Sequence, residues 1–102
     1  MTIFSYSRPH SAYAYKIAHD ECLKLLTDAA KKGVSLLNKQ INYQLLLAYQ
    51  NYVISILDIA SQKLGNNYIY LYNQFSLSIS CLTPYEQVRK IVEFILNLAK
   101  NM

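Results

Sequence analysis

Apolar residues recur along this chain at spacings of three and four, and the recurrence divides it into four helical segments. After a short arm ending near Pro9, a first helix is expected over residues 11–32. It gathers Ala14, Tyr15, Ala18, Cys22, Leu25, Leu26, Ala29 and Ala30 on one face, with Lys16, Asp20, Glu21, Lys24, Asp28 and Lys31 opposite. The alanines would let a neighbouring helix approach closely. Lys31-Lys32-Gly33 reads as a helix end, with cations in the last turn and then a glycine for the left-handed position, so the first helix is expected to stop there. From Val34 to Asn42 the phase is lost, which predicts a connecting segment with room for one helical turn around Leu36 and Leu37.

A second helix is expected over residues 41–64. Leu46, Tyr49, Val53, Ile56 and Ala60 form a heptad seam, which Leu45, Tyr52, Leu57, Ile59 and Leu64 widen. Only Asn51, Ser55, Asp58 and Gln62 make a polar strip, so this helix belongs in the middle of the assembly. Leu47 and Ile54 fall on its far flank, either covered by another element or left for a partner. Gly65-Asn66-Asn67 is a turn built from residues that tolerate positive φ.

Residues 67–81 fit two periods. As a strand, Ile69, Leu71, Phe75, Leu77, Ile79 and Cys81 share one side; as a helix, Tyr68, Leu71, Tyr72, Phe75, Ile79 and Leu82 form a stripe. A strand must pair, and the only other candidate, Thr2 to Tyr6, would give two marginal strands against three convincing helices. Helix is therefore the reading. Next comes the strongest local signal: Thr83 as N-cap, Pro84 at the first helical position and Glu86 completing a capping box. The fourth helix, residues 84–100, carries Val88, Ile91, Val92, Ile95, Leu96, Leu98 and Ala99 on one face. It sets Arg89, Lys90, Glu93 and Lys100 opposite, with Glu86–Lys90 and Arg89–Glu93 as ion pairs at spacing four. Four helices joined by short connections predict an all-α fold, a single-domain antiparallel up-and-down four-helix bundle.

Composition narrows the function. A chain of 102 residues is one domain, long enough to bury a core unaided. Its 53% hydrophobic content fits a well-filled core or some apolar surface kept for a partner, and ten tyrosines point to the second option. The net charge of +4 is scattered rather than clustered, so no nucleic-acid partner is expected, while a mild attraction to anionic lipid is permitted. Cys22 and Cys81 read as reduced, buried thiols. The first ten residues lack the pattern of a signal peptide, and residues 45–64 are too interrupted by polar groups to span a membrane, so a cytoplasmic protein is expected.

Candidate chemistry is sparse. His19 and Cys22, three apart on a helix, could be two metal ligands, but zinc needs more and only His10 and Cys81 remain, at no recognised spacing. The simpler reading is a histidine at the core edge and a buried thiol. Glycine occurs only at positions 33 and 65, so there is no phosphate-cradling loop. No catalytic constellation, cofactor or metal is expected. A binding module with an apolar and aromatic interface remains.

Leu82-Thr83-Pro84-Tyr85 at the opening of the last helix, the Leu/Tyr-rich third helix and the small basic four-helix pattern resemble the immunity proteins of pediocin-like bacteriocins, the enterocin A immunity group. The likeness runs from about His19 to Lys100. It implies a cytoplasmic, non-enzymatic protein that protects a bacterium from a secreted peptide by acting on the sugar-phosphotransferase permease that serves as the peptide's receptor. The C-terminal half would hold the specificity, which places Tyr68, Tyr70, Tyr72, Leu77, Arg89, Lys90 and Phe94 on the candidate surface. Arg89, Lys90 and Lys100 would favour approach to the inner membrane face, and the protein is expected as a monomer or weak dimer. A helical adaptor or dimerising regulator acting through Leu47, Ile54 and the tyrosines is the alternative.

Overall fold

Each helix begins where a short polar side chain can take up a backbone N–H that the first turn leaves unpaired. Ser11 Oγ accepts from Ala14 at 3.0 Å, Asn42 Oδ1 from Leu45 at 2.9 Å, Asn67 Oδ1 from Tyr70 at 3.2 Å and Thr83 Oγ1 from Glu86 at 3.2 Å. The computed structural model describes residues 11–102, so the arm to Pro9, the strand candidate Thr2 to Tyr6 and His10 lie outside the described residues. The helices are α1 (Ala12–Leu36), α2 (Tyr43–Leu64), α3 (Tyr68–Ser78) and α4 (Pro84–Lys100), with no strand among the described residues. Residues 68–78 are thus helical, and the serine alternation does not mark a strand.

The helices run up and down in an elongated four-helix bundle measuring 45 × 23 × 20 Å. Contacts between side chains fix the directions. Lys63 of α2 reaches Glu21 early in α1, whereas Tyr49 meets Ala29 further along it, so α1 and α2 are antiparallel. His19 Nε2 lies 3.0 Å from the Met102 carbonyl, and Val92 lies beside Gly33, so α4 also runs against α1. One end of the bundle therefore holds the α2–α3 turn and the C-terminus, and the other holds the α1–α2 and α3–α4 loops. Gly65, at φ 71°, closes α2 in the left-handed conformation, as its turn predicts.

Gly33 does something else. The expectation that it ends α1 is incorrect: the helix runs on to Leu36, the Leu37 N–H bonds back to Gly33 O at 3.2 Å, and Gly33 does not adopt positive φ. A Cβ at Gly33 would collide with both Tyr49 Oη and Val92 Cγ2. The residue is glycine because α2 and α4 close on α1 at this point. Tyr49, 1% exposed, donates its hydroxyl to Ala29 O at 2.8 Å, one turn before the glycine. The connecting segment shrinks accordingly to residues 37–42.

Around this contact the core is filled by Cys22 and Leu26 from α1, Val53 and Leu57 from α2, and Val88, Ile91 and Ile95 from α4. Ile59, Leu71 and Leu96, expected on buried faces, are exposed instead. Leu47 and Ile54 are also exposed, so no other described element covers that flank. For Leu47 the cause is the length of α3: eleven residues make a helix of about 16 Å, against about 33 Å for the 22 residues of α2. Starting beside the C-terminal end of α2, α3 stops before it can cover the first turns, where Tyr43 and Leu47 lie.

Alanine normally stabilises a helix interior relative to glycine by about 0.5–1 kcal/mol. At Gly33 the sign reverses, and Gly33→Ala costs about 1–3 kcal/mol in denaturant unfolding because the methyl overpacks. The loss is partly recovered when Val92→Ala is added, a coupling that a double-mutant cycle measures.

Candidate functional site

The residues nominated for partner binding sit on α3 and α4, and three of the seven are structural. Tyr68 is buried, and its backbone N–H donates to the buried Ser61 Oγ at 3.2 Å, tying the start of α3 to α2. Its own hydroxyl is held by the Asn66 side-chain amide at 2.9 Å. Tyr72 is 2% exposed and meets Phe94 edge to face at 5.8 Å, while Phe75 stacks on the same ring at 4.7 Å. This aromatic cluster bridges α3 to α4. Placing Tyr68 and Tyr72 on an accessible surface is therefore incorrect, since both rings face the core, and Phe94 is half-buried between two aromatic neighbours.

Tyr70 and Leu77 are accessible. They lie seven residues apart on the face of α3 opposite Tyr72, and Leu77 is 71% exposed. Leu71 and Tyr85 are also exposed and were missed. For Leu71, apolar residues encircle so much of α3 that periodicity could not separate inside from outside. Tyr85 stands in the Leu82-Thr83-Pro84-Tyr85 opening itself, and its position in the first turn of α4 was the available signal.

The junction between these helices explains the serine alternation. Ser76, Ser78 and Ser80 each turn their hydroxyl back onto the carbonyl three residues earlier: Asn73 at 3.2 Å, Phe75 at 2.6 Å and Leu77 at 3.0 Å. Serine competes for the backbone in this way, weakening a helix and favouring its end. After Ser78 the chain makes a series of turns, with Ile79 buried and Cys81 exposed. Gln87, buried in α4, donates its side-chain amide to Leu82 O at 2.9 Å and to Ser80 O at 3.4 Å. The loop is thereby held from inside. The expectation of two buried thiols holds for Cys22 and fails for Cys81.

Charges on α4 pair more completely than spacing predicts. Thr83 caps the helix, but Glu86 does not close the box. Its two oxygens take Arg89 Nε and Nη2 at 3.2 and 2.9 Å, in place of the expected Glu86–Lys90 pair. Arg89 Nη1 also reaches Glu93 at 2.8 Å, as expected, and Lys90 lies 3.9 Å from Glu93. The Arg89 hydrogen bond holds the Glu86 carboxyl below the usual range, and the same contact raises the arginine. Two carboxylates thus offset Arg89 and Lys90, so of the three cations expected to favour a membrane only Lys100, at the far end of α4, is left without an ion pair among the described residues.

At the other end of the bundle, His19 sits between Met102 O and Asp20, 3.4 Å from the latter, while Cys22 is fully buried and desolvation pushes its thiol up. Both ring nitrogens of His19 thus lie against groups other than Cys22. Among the described residues no group of three or more His, Cys, Asp or Glu could hold a metal ion. None of the described helices is long and apolar enough to cross a membrane. No protein-family model matches the chain, and neither curated proteins nor solved structures give a match.

Two measurements check this geometry. A thiol reagent should modify Cys81 in the native protein at a rate close to that of the unfolded chain, and Cys22 only as fast as the fold opens. Tyr72 Oη is buried with no hydrogen-bond partner among the described residues, and burial pushes the phenol up to about 12. Tyr72→Phe should therefore leave stability unchanged or raise it by about 1 kcal/mol, whereas Tyr49→Phe, which gives up the bond to Ala29, should cost about 1 kcal/mol.

Proposed function

We propose that the protein is a non-enzymatic immunity protein that protects a producing cell from a pediocin-like bacteriocin. It does so by docking on the peptide-occupied sugar-phosphotransferase permease from the cytoplasmic side. The observation that carries this reading is the α3–α4 junction. The residues of the resemblance, Leu82-Thr83-Pro84-Tyr85, open α4 there, with exposed Leu77 and Tyr85 on either side. Gln87 fixes the loop backbone, so the surface is preformed and loses little entropy on binding. Rigid apolar and aromatic groups beside neutralised charges suit a protein partner.

The contact residues of this reading are Tyr70, Leu77 and Tyr85, with Arg89 and Lys90 at the rim. Tyr68, Tyr72 and Phe94 support them from within. Capture is steric and needs no cofactor.

A second reading, a helical adaptor or dimerising regulator, is favoured by one observation: Leu47, 58% exposed, and Ile54 lie uncovered on α2. A homodimer in sedimentation that Leu47→Ser dissociates would support it, and a monomer supports immunity.

Expression in a sensitive strain, challenged with a panel of pediocin-like peptides, should protect against at least one of them. Leu77→Glu should abolish that protection with the unfolding midpoint unchanged, because the side chain contributes little to the core. Unaltered killing by every peptide contradicts the proposal.

A further inference from the structure

We draw no further inference here: the strongest candidate, the uncovered face of α2 that carries Tyr43, Leu47 and Ile54 on the side where α3 packs further along, is exposed and apolar, but nothing in the structure shows what covers it.

Discussion

The hydroxyl of Tyr49 sets the spacing of the bundle. It crosses from α2 to the carbonyl of Ala29, and the absence of a side chain at Gly33 lets its ring and Val92 press against the α1 backbone. Three helices meet at that point, and none could move closer or further without losing either the hydrogen bond or the packing. Continuing α1 past Gly33 is the consequence. Leu36 becomes a buried residue rather than part of a loop, and the connection to α2 is cut to six residues by the observed helix ends. The short α1–α2 connection follows from that continuation.

The third helix depends on the other three. Its serines draw the backbone out of the helix after Ser78, and large aromatic rings make up for the distance between α3 and α4, with Phe94 held between Tyr72 and Phe75. A short helix beside a long one leaves the start of α2 uncovered, which is why Leu47 and Tyr43 face outward despite their composition. Up-and-down topology then places the uncovered α2 turns, the α1–α2 loop and the α3–α4 junction at the same end of the molecule.

Much of this was legible in the sequence, and the failures share a cause. Helix number, the Thr83 N-cap and the seam of α2 followed from period and capping chemistry, because those are local properties, whereas the caps at Ser11, Asn42 and Asn67 were not read. Gly33 was misread because a glycine after two lysines satisfies the rule for a helix end equally well, and only the tertiary approach of Tyr49 and Val92 decides between the meanings. Tyr68 and Tyr72 were misplaced for a related reason: tyrosine suits both a core edge and an interface, and their partners, Ser61 and Phe94, come from other helices.

The bundle rests on α1 passing through Gly33 as continuous helix, pressed by Tyr49 and Val92. Amide hydrogen exchange followed residue by residue tests it most directly. The Gly33 and Leu36 amides should be protected nearly as well as those of Leu26 and Ala29, and the Gly33 α-protons should show nuclear Overhauser contacts to the Tyr49 ring and a Val92 methyl group. Rapid exchange from Gly33 onward, with no contact between Gly33 and either side chain, would contradict it.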